Sequence, residues 1–171
     1  MLITPEYVEQ NRQLHAGGKY GTEGARWAPF VDSLATKCEA KSILDYGCGQ
    51  GSLKRVLETR HHPFAVWEYD PAIEEKQERV ARADIVVCTD VLEHIEPDCL
   101  YAVLDDIRSI AMRRVFFTVH TGAAKKTLAD GRNAHLIVEP ADWWLRKFMP
   151  RWKTWAFQLM NNGFIYIGVS H

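Results

Sequence analysis

The sequence predicts an α/β domain with a doubly wound, mostly parallel sheet that closes on a C-terminal antiparallel hairpin. Three observations carry this expectation. Short apolar, β-branched runs alternate with amphipathic stretches, as in strands covered by helices on both faces. The first such run, Ser42-Ile43-Leu44-Asp45-Tyr46, leads directly into Gly47-Cys48-Gly49-Gln50-Gly51 and then an amphipathic segment. Near the end, two β-rich runs flank Asn161-Asn162-Gly163, a sequence suited to a hairpin turn.

The elements follow in order. Residues 5–15 read as a helix, with Thr4 as N-cap, Pro5 in the first turn, and Glu6 and Glu9 at the positive end of the dipole. Glycine-rich residues 17–21 form a loop. A second helix spans 23–37, with Trp27, Phe30, Val31 and Leu34 on one face. Residues 42–46 are a buried strand, 51–60 a helix and 64–69 a second strand. Residues 71–82 are polar and suit a turn or two of helix plus loop. Residues 83–89 are a strongly apolar strand. Leu100, Val103, Leu104, Ile107 and Ile110 recur at helical spacing within 98–112, and 114–120 is another strand. A polar loop over 121–133 and a short helix over 140–148 precede the hairpin strands, 153–159 and 164–169.

Composition narrows the function classes. A chain of 171 residues fits one domain with one core. A net charge of -1 gives no basic footprint, so nucleic acid is disfavoured as a partner. No apolar run approaches the ~20 residues that span a bilayer. The N-terminus shows no basic segment followed by an apolar one. Cys38, Cys48, Cys88 and Cys99 include no Cys-x-x-Cys pair and read as reduced thiols of a cytoplasmic protein.

The glycine loop needs a backbone that turns sharply and admits close approach. Taken alone, it leaves a plain strand-to-helix turn and a nucleotide site both open. A dinucleotide fingerprint wants glycines at the first, third and sixth positions. Here the sixth position from Gly47 is Ser52, and the third glycine comes one residue early, at Gly51. Asp70 ends the second strand, where a carboxylate can accept hydrogen bonds from both hydroxyls of a ribose.

At these residues the chain resembles the class I S-adenosylmethionine-dependent methyltransferases, in the manner of short bacterial and phage-encoded members. Ile43-Leu44-Asp45-Tyr46-Gly47-Cys48-Gly49-Gln50-Gly51 is similar to the family's first motif, and Tyr69-Asp70-Pro71-Ala72 to its second. Ala83-Asp84-Ile85-Val86-Val87-Cys88-Thr89-Asp90-Val91-Leu92-Glu93-His94-Ile95 is similar to its fourth, and the terminal hairpin to its reversed last strand. The resemblance covers about residues 40–171. It implies a Rossmann-like fold with S-adenosyl-L-methionine as cofactor. Residues 40–171 would form the cofactor-binding core and residues 1–38 a helical cap. Asp45, Gly47 and Gly49, with Cys48 and Gly51 in the same loop, would hold the cofactor's amino-acid end. Asp70 would bind the ribose, with Pro71 and Ala72 beside the base. Thr89, Asp90 and Val91 would face the sulfonium and the acceptor. The family's third strand, however, would have to lie within residues 72–82, where Glu74, Glu75, Lys76, Gln77, Glu78 and Arg79 cannot be buried. That strand is expected to be shortened or missing.

For the acceptor, candidates are polar residues near strand carboxyl ends, where ligands sit in open α/β sheets. His120 ends its strand and is either a base or a histidine bonded to a loop carbonyl. Asp130-Gly131-Arg132-Asn133-Ala134-His135 gathers a second set, with His135 as base and Arg132 and Asn133 as acceptor contacts. Asp90 completes the catalytic candidates, and Tyr20 and His94 the acceptor contacts. No ligand spacing such as His-Glu-x-x-His occurs, so no metal is expected. Neither an Asp/Asn-Pro-Pro-Tyr/Phe run nor a Pro-Cys pair is present, which points away from nucleobases and toward a small polar molecule. The alternatives are a non-catalytic cofactor-binding module, a nucleotide-dependent oxidoreductase and a nucleic-acid methyltransferase.

Overall fold

A computed structural model describes residues 1–17, 21–60 and 63–171. The expectation for Tyr20 lies outside the described residues. The chain runs through helices α1 (Pro5–Ala16) and α2 (Gly24–Lys37), then β1 (Ser42–Tyr46), α3 (Ser52–Glu58), β2 (Ala65–Tyr69) and β3 (Ala83–Thr89). Next come α4 (Leu100–Ile110), β4 (Ala111–His120), α5 (Ala141–Phe148), β5 (Lys153–Met160) and β6 (Gly163–Val169). The six strands form one sheet in the order β2-β1-β3-β4-β6-β5. β2, β1, β3 and β4 are mutually parallel, and β6 runs antiparallel to both β4 and β5. This is the predicted α/β fold: doubly wound, mostly parallel, with a terminal antiparallel hairpin.

Side-chain alternation along the strands builds two apolar layers. Leu44, Val86, Cys88, Val115 and Phe117 point toward α4 and α5. Ile43, Ile85, Val87 and Phe116 point toward α2 and α3. All seven residues of β3 are buried, as its central position requires. Phe117 packs against Phe148 at 5.2 Å and Trp152 at 5.2 Å between ring centroids. Trp144 and Trp152 are fully buried core residues.

Two elements differ in detail from the sequence reading, and a third agrees with it. The buried stripe of α2 is Ala28, Val31, Leu34 and Ala35, whereas Phe30 is 41% exposed and stacks on Phe116 at 5.0 Å. Small alanines let α2 approach the sheet closely, and the bulky rings close its rim. β4 begins at Ala111, three residues early, because the chain leaves α4 directly into extended backbone (ψ 109°). Between β2 and β3 only one short 3₁₀ turn, Glu74–Lys76, occurs among the described residues. The third strand is therefore absent and β2 is the sheet edge.

α1 is fastened across the carboxyl ends of the strands. The Thr4 hydroxyl accepts from the Tyr7 amide at 3.3 Å and donates to Glu96 at 2.8 Å, in the loop after β3. Tyr7 packs with Leu128 and Ala134 from the loop between β4 and α5. This arrangement roofs a cleft where β1, β2, β3 and β4 all end.

Candidate active site

The strand-to-helix turn after β1 shapes one end of this cleft. Gly47 sits at φ 77° and Gly49 at φ 50°, both left-handed conformations that favour glycine. A Cβ at Gly47 would lie 2.6 Å from Val91 Cγ2, so the turn abuts the segment after β3. A Cβ at Gly49 would lie 2.7 Å from both Cα and O of Gly21. The Gln50 amide donates to the Gly21 carbonyl at 2.9 Å, so the segment before α2 rests on the turn. Gly47 and Cys48 line the cleft, whereas Gly49 and Gly51, also expected to hold the cofactor, do not.

Asp70 stands beside the turn, just past β2, and is 6% exposed. Its Oδ2 accepts from the Gly49 amide at 3.0 Å and its Oδ1 from the Ala72 amide at 2.9 Å. Each carboxylate oxygen can accept two hydrogen bonds, so one acceptor position per oxygen remains for a vicinal diol. His15 Nε2, from α1, approaches Asp70 Oδ2 at 3.9 Å. Asp45, at the end of β1, opens onto the cleft; burial pushes its carboxyl up to about 8, Glu68 adds to the shift and Lys76 opposes it. A cationic amine placed there would favour the ionised carboxylate. Pro71 and Ala72 line the neighbouring wall. The cavity measures about 760 Å³, toward the upper end of the roughly 300–1,000 Å³ usual for ligand pockets. Diol acceptor, acidic amine contact, small-residue turn and apolar wall together fit an amino-acid-bearing nucleoside, with volume left over.

The other end is formed by the ends of β3 and β4. Thr89, Asp90 and Val91 line it. Asp90 holds a left-handed φ of 54°, which costs a non-glycine residue roughly 1–2 kcal/mol. Its amide donates to the Thr118 carbonyl and hydroxyl at 3.1 Å each, and the Thr118 hydroxyl donates to Asp90 Oδ1 at 3.1 Å. These bonds aim the carboxylate across to His120, whose Nε2 lies 3.6 Å from Oδ1. Burial raises the Asp90 pKa, with the His120 charge and the Thr118 hydrogen bond opposing. The His120 amide donates to Glu93 Oε1 at 2.7 Å, and Glu93 is wholly buried, which pushes its carboxyl up to about 8.

Two more imidazoles join this end. His94 Nδ1 meets the Ala134 carbonyl at 2.7 Å, and His135 Nδ1 meets the Gly122 carbonyl at 2.6 Å. The His135 ring lies 4.7 Å from that of His94 and 5.6 Å from that of His120. Burial, helped by the nearby His135, pushes His94 down to about 4. Asp90, His94, His120 and His135 are therefore brought together from three separate stretches of chain. Arg132 and Asn133 do not line the cleft. The Arg132 guanidinium is bound to Asp130 at 2.7 Å and lies over the Tyr7 ring at 5.8 Å. Asn133 ties its loop together, accepting from the Ala124 and His135 amides at 2.9 Å each.

Tyr7, Asn11 and His15 of α1 also face the cleft, and the sequence reading passed over them. Their spacing of four residues was the available signal, since it puts three polar groups on one helix face. Tyr7 donates its hydroxyl to the His94 carbonyl at 2.7 Å, and burial pushes its pKa up to about 12.

A family model described as a methyltransferase domain matches residues 20–166. No curated protein matches by sequence. Among solved structures, the chain is similar to an O-methyltransferase family protein from Burkholderia thailandensis (TM-score 0.64, 12% identity), covering 85% of this chain and 55% of that one. The chain thus spans about half the length of that protein. It is also similar to the 1,6-didemethyltoxoflavin-N1-methyltransferase of Burkholderia thailandensis, solved with 1,6-didemethyltoxoflavin and S-adenosylhomocysteine (TM-score 0.69, 15% identity, 99% and 92% coverage). A third similar structure is magnesium protoporphyrin IX methyltransferase from Synechocystis PCC 6803 with bound S-adenosylhomocysteine (TM-score 0.61, 16% identity, 86% and 83% coverage).

Proposed function

Because this chain belongs to the methyltransferase-domain family, we propose that it transfers a methyl group from S-adenosyl-L-methionine to a small polar acceptor. The observation that carries this reading is a single cleft in which the Gly47 turn, Asp45 and Asp70 occupy one end and the Asp90–His120 pair the other. Bound S-adenosyl-L-methionine supplies an electrophilic methyl group on a sulfonium. Asp45 would hold the cofactor's ammonium, Asp70 the ribose hydroxyls, and Pro71 with Ala72 the base. The roof formed by α1 excludes water and orders both ligands, which is the main contribution an enzyme makes to an in-line displacement. His120 would take the acceptor's proton, with Asp90 orienting the ring and stabilising its cationic form. The His135 ring stands 5.6 Å away, with its Nδ1 against the Gly122 carbonyl.

The small size of the acceptor is supported by the roofed cleft, and residues 1–38 act in this reading as a cap on a cofactor-binding core. No helix among the described residues is long and apolar enough to cross a membrane. The four cysteines are buried and unpaired, which fits a reducing compartment such as the cytoplasm. The reading is tested by titrating the full chain with S-adenosylhomocysteine and with NAD in a calorimeter. Saturable 1:1 binding of the first alone is expected; binding of NAD alone would overturn it. A panel of labelled-methyl acceptors then identifies the substrate.

A further inference from the structure

At the acceptor end, Glu93, His94 and His135 each offer one ligand atom, and these atoms lie within 4.8 Å of one another. Ligands about 2.0–2.2 Å from a tetrahedral zinc stand about 3.3–3.6 Å apart, so atoms at the limit of that spread would close on one another by about 1.2–1.5 Å when the ion binds. Two independent features show that these groups are arranged for more than packing.

The first is the orientation of the imidazoles. A carbonyl oxygen only accepts, so the Nδ1 of His94 and the Nδ1 of His135 each carry the proton that faces Ala134 O and Gly122 O. In the neutral ring this makes Nε2 the lone-pair nitrogen. Histidines that ligate metals are oriented in this way, with the other ring nitrogen donating to a backbone carbonyl. The second is Glu93. It is wholly buried; Oε1 is anchored by the His120 amide at 2.7 Å, while Oε2 is buried with no hydrogen-bond partner. An unsatisfied buried carboxylate oxygen is costly, and a cation removes the cost.

We propose that Glu93, His94 and His135 bind one divalent transition-metal ion of the zinc class at the acceptor end of the cleft. Two imidazole nitrogens and one carboxylate form a donor set that suits such ions and does not suit magnesium, which takes oxygen ligands. Three protein ligands leave a position open for an exogenous oxygen, as at catalytic sites of this kind. His94 and His135 line the cleft, so that position faces the acceptor, beside His120. The acceptor class this selects is a molecule with a hydroxyl or enol oxygen. Asp90, Glu93 and His120 form a second cluster that shares Glu93. The first set is preferred because both of its rings are pre-oriented by carbonyls. The choice of acceptor rests on the methyl-transfer reading, but binding of the ion does not.

The test uses the full chain, stripped with a chelator and titrated with Zn²⁺, with Co²⁺ as the spectroscopic probe. One equivalent of each is expected to bind, and Co²⁺ to develop visible d–d bands. Removal of outer-shell partners alone typically weakens metal affinity about 10–100-fold; His135→Ala and Glu93→Gln, which remove ligands, are each expected to lose at least that. His120→Ala should keep the ion. Far-UV circular dichroism checks folding, and if Glu93→Gln fails to fold, His135→Ala decides alone. Absence of stoichiometric binding, or undiminished binding in a folded His135→Ala chain, overturns the proposal, as does binding lost in His120→Ala alone. S-adenosylhomocysteine titration of the same samples separates the two readings: a chain that binds zinc but not this nucleoside keeps the metal site and loses the methyltransferase assignment.

Discussion

Replacing Asp70 by asparagine probes the cofactor end of the cleft directly. The carboxylate holds the Gly49 and Ala72 amides with one oxygen each. The amide side chain keeps one of these acceptors and turns an NH₂ group toward the other donor. Loss of one hydrogen bond to a charged acceptor costs about 1.5–3 kcal/mol. In the free protein that cost appears as lower stability, because the Gly49 turn loses a tether. In the complex a ribose hydroxyl loses its charged acceptor as well, so cofactor affinity is expected to fall about ten- to hundredfold. Asp70→Ala goes further, since it leaves two buried amides without partners. Isothermal titration with S-adenosylhomocysteine reads the affinity, and urea unfolding of the ligand-free chain reads the stability. A folded Asp70→Asn protein with wild-type affinity would refute the ribose assignment, leaving Asp70 only as a brace for the glycine turn.

Further outcomes follow from other contacts. His120→Ala should lower turnover by about 10²–10⁴-fold, the usual contribution of a general base, with S-adenosylhomocysteine affinity nearly unchanged; surviving turnover would refute the general-base assignment. Tyr7→Phe removes the hydrogen bond to the His94 carbonyl, worth about 1 kcal/mol, and hydrogen exchange in α1 should accelerate while that in β3 does not. Stability should fall as pH rises toward 8. Asp45 and Glu93 are both held near 8 from ordinary values of 3.8 and 4.5, so the unfolded chain gives up these protons first. His94, held near 4 from 6.5, acts in the opposite sense, because below 6.5 the unfolded chain binds its proton first. Between 4.5 and 6.5 it offsets one acid; from 6.5 to 8 both acids act unopposed and the decline steepens. Each group contributes at most about 1.4 kcal/mol per pH unit. Urea unfolding across this range checks the slope, and Glu93→Gln should flatten it. A wild-type stability that rises between pH 6.5 and 8 would contradict the burial of both carboxyls.

The alternation of apolar runs was enough to read every strand and helix to within a few residues, because burial on a sheet imposes a period that survives in the sequence. The same logic exposed the missing third strand: a segment with Glu74, Glu75, Lys76, Glu78 and Arg79 has no apolar face to bury. Capping was legible at Thr4. The orientation of α2 was not, because its large aromatics out-rank its alanines in any hydrophobic count, whereas close packing on a flat sheet favours the alanines.

By itself the sequence placed Asp45, Gly47 and Asp70 together at one end of the cleft, the end proposed for the cofactor. Gly47, Asp45 and Asp70 lie at strand ends, and local backbone rules place strand ends in an open parallel sheet. Only the tertiary structure decided the acceptor end. His94, His120 and His135 are separated by long stretches of chain, and their meeting depends on how the loop after β4 folds back under α1. The same folding turns Arg132 and Asn133 away to bind their own loop, and it swings Tyr7, Asn11 and His15 over the cleft. Such placements follow from packing between distant segments, and no local period in the sequence records them.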